Sequence, residues 1–231
     1  MRVTTSAPTQ PRRIFGSGAK EPYDLALRDS HRMLHLVEPD GGGDPVPLDV
    51  SKFLADADEH DTDALSHAHG PVLDLGCGPG RLVRAAILGG HLALGIDASR
   101  VAVKIAQEHG LPVLCRSIFQ KLPAEGTWGT ALVIDGNIGI GGDPIALLSR
   151  CAELVLDHAE GRVLVEAHPV ADRDRVFEAV VVDDLGRSSL PFPWAEVGIE
   201  GLIRYAASAG LRLVQQWERG GRVFAEFACA R

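Results

Sequence analysis

The residues best suited to chemistry stand in one short segment, residues 72–81, which reads VLDLGCGPGR. An acidic residue, Asp74, lies within an apolar run that leads into the spacing G-x-G-x-G and then into a helical pattern from Arg81. Glycine lets the backbone turn sharply and approach a ligand, and the N-terminus of the next helix offers unpaired N–H groups to an anion. The segment therefore predicts a site for the carboxylate or phosphate of a cofactor.

A second acidic residue, Asp97, ends the next predicted strand, about 20 residues beyond Gly76, where a carboxylate can accept hydrogen bonds from ribose hydroxyls. Dinucleotide-binding proteins use the spacing G-x-G-x-x-G, which would require glycine where this chain has Arg81. A nucleoside ligand is therefore expected. A nicotinamide-dependent oxidoreductase and a non-catalytic nucleoside-binding protein remain alternatives.

Alternating strand and helix patterns position these residues. From residue 70 onward short apolar runs alternate with helical patterns, which is typical of βα units in a parallel sheet. Two strands joined at Gly220 and Gly221 are expected to close the chain, and residues 176–182 form a further strand. Residues 191–194, PFPW, are expected to form a rigid aromatic loop in which Phe192 and Trp194 either line a substrate site or simply pack.

The first part of the chain is predicted to be an addition to that domain. Residues 1–20 carry no acid and show no periodicity, so they are expected to be a flexible tail. Residues 21–69 are expected to form a helical extension or lid, with one helix reaching His35, a loop over 38–47 and a second helix capped by Asp49. Residues 70–231 form the main domain.

Composition excludes several classes of function. The chain has 231 residues, 45% of them hydrophobic, and a net charge of −8, so one core is expected and nucleic acid is a disfavoured partner. Its longest apolar runs are too short to cross a bilayer, and its four cysteines lack metal-type spacing. A cytoplasmic protein that does not enter a membrane is therefore expected. No metal site is expected either, since the acids around His60, His67 and His69 suit a solvated helix.

Residues 72–81 together with Asp97 resemble the class I S-adenosylmethionine-dependent methyltransferases, and the resemblance covers residues 70–231, including the strand order and the closing hairpin. It implies a Rossmann-like methyltransferase fold: an α/β, doubly wound, mostly parallel seven-stranded sheet with an N-terminal helical extension. It also implies that S-adenosylmethionine is the cofactor. Tyr23 of the first helix is implied to cover it. The other residues implied to surround it are Asp74, Gly76, Cys77, Gly78 and Arg81 at the methionine end, Asp97 and Ala98 at the ribose, and Ser117, Ile118 and Phe119 at the adenine.

The same resemblance places Asp135, Gly136 and Asn137 after the fourth strand, where they would face the sulfonium and the acceptor. Amino-group methyltransferases often carry an Asn/Asp-Pro-Pro-aromatic motif here, whereas residues 135–142 of this chain read DGNIGIGG. A small-molecule acceptor is therefore expected, with an oxygen of a metabolite or biosynthetic intermediate first and carbon or nitrogen left open.

Two residues are candidates for the catalytic step. By the resemblance, Asn137 would face the methyl group of the cofactor. His168 follows the fifth strand and could remove a proton from a hydroxyl near neutral pH. The alternative for His168 is a loop histidine that bonds to backbone beside Pro169. The sequence does not indicate which oligomeric state the protein has.

Overall fold

The computed structural model describes residues 15–16, 21–29, 33–157 and 160–230. The α-helices are α1 Pro22–Ala26, α2 Val50–Leu54, α3 Glu59–Ser66, α4 Arg81–Leu88, α5 Arg100–Glu108, α6 Pro144–Leu154 and α7 Ile199–Ser208. The strands are β1 Leu34–Val37, β2 Val46–Leu48, β3 Val72–Leu75, β4 Ala93–Asp97, β5 Val113–Cys115, β6 Thr130–Val133, β7 Arg162–Ala167, β8 Asp174–Asp183, β9 Phe192–Val197, β10 Leu211–Arg219 and β11 Arg222–Cys229. A 3-10 helix, Asn137–Gly142, follows β6.

The larger sheet has seven strands in the order β10-β11-β7-β6-β3-β4-β5. Strands β5, β4, β3, β6 and β7 are parallel, while the closing hairpin of β10 and β11 is antiparallel. Every residue of β3 and β6 is buried, as expected where helices cover both faces of a parallel sheet. The predicted doubly wound, mostly parallel seven-stranded sheet is confirmed. Its strand order reverses between β3 and β6, and ligands of open α/β sheets bind at that point.

The helices of the main domain begin and end where the sequence signals stand. Helix α6 is an example, because the Asp143 side chain accepts a hydrogen bond from the Ala146 N–H at 3.0 Å and Pro144 occupies the first turn. Its apolar residues recur at helical spacing, and Leu147, Leu148 and other members of that stripe are buried in the core.

A second sheet, which the sequence did not predict, has the order β2-β1-β8-β9 and is antiparallel throughout. The extension contains helices, as expected, but the helix predicted to reach His35 ends at Ala26, and β1 begins at Leu34. Leu34 and Leu36 are buried while their neighbours are half-buried, so this segment has the period of a strand. Residues 30–32, and the predicted tail except for Phe15 and Gly16, lie outside the described residues.

The aromatic segment predicted to be a loop is also a strand, because residues 192–194 begin β9. Pro193 lies opposite Glu178 of β8 and has no N–H to donate. It is tolerated because β9 is an edge strand.

One face of the second sheet packs against the main domain. Leu34, Leu36, Val181 and Phe192 of this face form a buried cluster with residues of α1 and α5, such as Ala102. The second sheet thereby covers the carboxyl ends of β3 and β4. None of the helices in the described part of the chain is both long enough and apolar enough to span a bilayer.

Candidate functional site

A cavity open to solvent at its mouth lies between the carboxyl ends of the parallel strands and the second sheet, and its empty space is about 950 Å³ when the solvent at the mouth is counted. Its two main walls differ in chemistry. What we call the floor is polar and consists of Asp74, Gly76, Cys77, Gly78, Arg81, Asp97, Asp135 and Asn137. What we call the roof carries no charge and consists of Phe15, Tyr23, Leu36, Leu48, Phe53 and Trp194.

The glycine turn at the centre of the floor can be built only from glycine at its first position. Gly76 has a φ of 79°, and a Cβ there would lie 2.7 Å from Nδ2 of Asn137 and 2.9 Å from Cδ1 of Ile140. The N–H groups of Gly76 and Cys77 donate to the Ile96 carbonyl at 2.8 and 3.1 Å. The turn is therefore fixed to β4, and its backbone faces the cavity without side chains in the way.

Asp97 joins this turn to the end of β4. One oxygen of its carboxylate accepts from the Gly78 N–H at 2.8 Å, and the other accepts from the Ser99 N–H at 2.7 Å. Burial raises the pKa of Asp97 to about 6, although the two N–H groups favour the ionised form and oppose that shift. Asp97 thus holds the turn in place as well as lining the cavity.

Asp74 is the least satisfied polar group of the floor. Its side chain is buried, and Oδ2 has no hydrogen-bond partner among the described residues. Burial first, and then the charges of Asp135 and Asp97, raise the pKa of Asp74 well above its usual value. An orphaned carboxyl oxygen is costly, so this position is suited to a ligand that brings an N–H or an ammonium group.

Behind the floor lies a buried ionic cluster that joins distant parts of the chain. Arg81, with 4% of its side chain exposed, pairs with Asp61 of α3 and with Asp135. Arg222 of β11 lies 2.8 Å from Asp61 and 2.8 Å from Glu166, which in turn accepts the Asp135 N–H at 2.7 Å. Arg81 therefore lines the cavity as predicted, but its guanidinium is engaged by carboxylates of the protein.

Asp135 also forms an ion pair with a residue of the extension, Lys52, whose Nζ lies 2.9 Å from Oδ1 of Asp135. Burial alone would raise the pKa of Asp135, but the charges of Arg81, Lys52 and Arg222 together lower it. Asp135 is therefore an ionised carboxylate held by cations, in a left-handed conformation with a φ of 56°. Sequence reasoning missed these partners of Asp135, since no motif links α2, α4 and β11.

The aromatic residues of the roof contact one another. The Phe15 ring lies 4.8 Å from Tyr23, 5.5 Å from Phe192 and 5.9 Å from Trp194, measured between centroids. The Tyr23 hydroxyl lies above the glycine turn, 3.4 Å from where a Cβ of Gly78 would be. Burial, and then the charge of Asp97, raise the pKa of Tyr23 well above its usual value, so its hydroxyl stays protonated.

Asn137 supports the same turn from the other side. Its Nδ2 donates to the carbonyl oxygens of Leu75 and Gly76, at 3.0 Å each. These two bonds fix the orientation of the Asn137 amide. They use its Nδ2 and not its Oδ1.

Most of the residues predicted for the site meet in the cavity. The predicted residues that line it are Tyr23, Asp74, Gly76, Cys77, Gly78, Arg81, Asp97, Ala98, Ser117, Ile118, Asp135 and Asn137. Gly136 and Phe119 are not among the lining residues. Phe119 is 41% exposed and packs beside Gly141 instead.

His168 also lies outside the cavity lining. Its N–H donates to the Val197 carbonyl at 2.8 Å, and its Nδ1 accepts from the Val170 N–H at 3.1 Å. The imidazole thus bonds to backbone where β7 meets β9. Across the described ranges, no group of three His, Cys, Asp or Glu side chains is arranged to hold a metal ion.

No protein-family model matches the sequence, and no curated protein gives a significant match. Solved structures do match. A S-adenosylmethionine-dependent methyltransferase from Bacteroides fragilis, in complex with S-adenosyl-L-homocysteine, is 22% identical with a TM-score of 0.73, over 92% of this chain and 96% of that one. The CcbJ methyltransferase from Streptomyces caelestis is 16% identical with a TM-score of 0.57, over 78% and 92%.

A third match is the 1,6-didemethyltoxoflavin-N1-methyltransferase from Burkholderia thailandensis, solved with 1,6-didemethyltoxoflavin and S-adenosylhomocysteine bound. It is 18% identical with a TM-score of 0.54, over 75% of this chain and 80% of that one. The chain therefore has the fold of the S-adenosylmethionine-dependent methyltransferases, as the resemblance of residues 72–81 implied.

Proposed function

We propose that this protein is a S-adenosylmethionine-dependent methyltransferase that acts on a small molecule. The observation that carries the proposal is the meeting of the glycine turn, Asp97 and the orphaned carboxyl of Asp74 on one polar floor beneath an uncharged roof. The shared fold supports it, and two of the proteins described above were solved with S-adenosylhomocysteine.

The floor fits the parts of that cofactor. The turn before α4 can receive the methionine carboxylate, because the N–H groups at a helix start favour an anion. The unpartnered Oδ2 of Asp74 can receive the ammonium group. Asp97 and Ala98 would hold the ribose, with Ser117 and Ile118 beside the adenine.

When bound, S-adenosylmethionine supplies an electrophilic methyl group, whose bond to sulfur breaks with the electron pair left on sulfur as the acceptor's lone pair takes the carbon. The protein's part is to orient the cofactor and the acceptor molecule and to exclude water. The floor would fix the cofactor, and the roof would exclude water and hold the acceptor above it. Holding two reactants in line at about 3 to 3.5 Å supplies much of the rate enhancement in such a transfer.

Which atom of the substrate takes the methyl group depends on whether a side chain that faces the cavity can act as a base. Sequence reasoning favours an oxygen. A second candidate, nitrogen, is favoured by the state of Asp135, whose two oxygens are bound by Lys52, Arg81 and Arg222 and whose pKa is lowered, so it is a weak base. A nitrogen lone pair needs no base before transfer. The Burkholderia thailandensis protein is named for methylation of a nitrogen.

His168 keeps its proposed role as a base only if its substitution changes the reaction. Because its Nδ1 accepts from the Val170 N–H and it lies outside the lining, we expect His168→Gln to leave turnover and its pH profile unchanged. A loss of turnover above neutral pH, with cofactor binding intact, would instead restore His168 as the base.

The proposal is tested by titration calorimetry with S-adenosylhomocysteine, with NADH and NADPH as controls. Binding of the first alone is the expected result. Binding of a nicotinamide cofactor without S-adenosylhomocysteine would indicate an oxidoreductase. Binding of S-adenosylmethionine with no methyl transfer to any member of a broad panel of hydroxylated and heterocyclic acceptors would indicate a binding module.

A further inference from the structure

We infer that the roof of the cavity binds a flat, uncharged aromatic acceptor, and that Trp194 is the residue that selects for flatness. The inference rests on the proposed function, because it assigns the cofactor to the floor. Four residues of the roof come from the second sheet and α2, namely Leu36, Leu48, Phe53 and Trp194, and all four are apolar or aromatic. A charged acceptor would lose its hydration against them without gaining a partner.

The indole of Trp194 is held in a fixed position because glycines of the 3-10 helix after β6 leave room for it. A Cβ on Gly139 would lie 2.5 Å from the Trp194 ring and 2.4 Å from the Ala195 carbonyl. A Cβ on Gly142 would lie 2.8 Å from Cβ of Pro193. Gly139 and Gly142 therefore lack side chains where β9 approaches, and the indole lies in the space beside Gly139.

Neighbouring rings further restrict the indole. Phe192 lies 6.0 Å from Trp194 at an interplanar angle of 85°, and Phe15 lies 5.9 Å away at 50°. The contact with Phe192 is edge-to-face and the contact with Phe15 is tilted, and together they restrict the tilt of the indole. A flat ring can stack on such a surface over its whole area, whereas a saturated, puckered ring touches it at a few atoms.

The indole N–H of Trp194 gives the site a polar feature. Trp128 donates its indole N–H to the Pro123 carbonyl at 3.0 Å, and Trp217 donates to Asp63 at 3.0 Å. The Trp194 nitrogen is not among the buried, unpartnered side-chain atoms of the described residues. A molecule in the cavity with a ring heteroatom or hydroxyl within hydrogen-bond distance of this N–H could accept from it.

The test uses 2-naphthol and its saturated counterpart, decahydro-2-naphthol, as probes of equal connectivity that differ in flatness. Each is titrated by calorimetry into protein saturated with S-adenosylhomocysteine. We expect 2-naphthol to bind at least tenfold more tightly. Trp194→Leu, which keeps apolar bulk, should abolish the preference while leaving the affinity for S-adenosylhomocysteine within twofold. Trp217→Phe, a change of a tryptophan outside the cavity, should preserve it.

Equal binding of the two probes, or an unchanged preference in Trp194→Leu, would overturn the inference while leaving the proposed function intact. If S-adenosylhomocysteine itself fails to bind, the proposed function fails, and the probes are then titrated into the protein alone. A preference for 2-naphthol that depends on Trp194 would still uphold the flat, aromatic-binding roof, and no preference would overturn it. Should Trp194→Leu not fold, Trp194→Met provides the same comparison with a flexible apolar side chain that has no ring.

Discussion

The state of Asp97 leads to a quantitative prediction about pH. Burial, against the opposing effect of the N–H groups of Ser99 and Gly78, places its pKa at about 6. The ionised form would accept hydrogen bonds from ribose hydroxyls, so cofactor affinity should fall as the pH falls through that value. At pH 5 about one tenth of Asp97 is ionised, and the affinity for S-adenosylhomocysteine should be about tenfold weaker than at pH 7.5, or about 1.4 kcal/mol.

Titration calorimetry at intervals between those two pH values measures this directly. Asp97→Asn should weaken binding at pH 7.5 by about 1 to 3 kcal/mol and remove most of the pH dependence. Asp172→Asn removes a carboxylate from an exposed position and serves as the matched control. Thermal unfolding of each variant shows whether the fold is kept. A flat profile for the natural protein, or an equal slope in Asp97→Asn, would refute the assigned role of Asp97.

Three further substitutions test the walls of the cavity. Gly139→Ala should force β9 and Trp194 away, lowering stability to urea by about 1 to 3 kcal/mol and weakening 2-naphthol binding, with S-adenosylhomocysteine binding retained. Unchanged 2-naphthol binding would contradict the close approach. Asp61→Asn removes a fully buried partner of Arg81 and should cost about 3 to 5 kcal/mol in urea unfolding. Lys52→Gln breaks a solvent-screened pair and should cost less than about 1 kcal/mol, so equal losses in the two variants would contradict this ranking by burial.

The main domain could be predicted from the sequence because its signals are local. Buried parallel strands are continuous apolar runs, and caps such as Asp143 with Pro144 mark where helices begin. The same applies to the floor of the cavity, since residues that follow parallel strands meet at one edge of the sheet. Asp74, Asp97 and Asn137 line the cavity for that reason.

The second sheet could not be predicted by the same signals. Its strands β1 and β2 have four and three residues, too few for a periodic pattern to stand out. Pro191, just before β9, and Pro193, within it, suggested a loop. Of the four strands of this sheet only β8 was predicted, from the apolar run 176–182, and in β1 the alternation of Leu34 and Leu36 was the local sign of a strand. Pairings such as Leu34 with Asp183 join segments far apart in the chain, and single-sequence patterns do not report them.

The ionic cluster illustrates a second limit of sequence reasoning. The acids around Asp61 were interpreted as a solvated helix face, and most of them are exposed, yet Asp61 is almost fully buried and bound to Arg81 and Arg222. One acid of a run can turn inward when α3 packs beside α4 and β11. Only the tertiary arrangement decides which acid that is.

The pairing of Asp61 with Arg222 also has a consequence for biosynthesis. A ribosome makes α3 long before β11, so the nascent chain carries the Asp61 carboxylate while the cation from the last hairpin is still missing. Charges destined for an interior cannot leave water until their counterparts arrive. The buried wall behind the glycine turn is thus completed only after β11 has been synthesised.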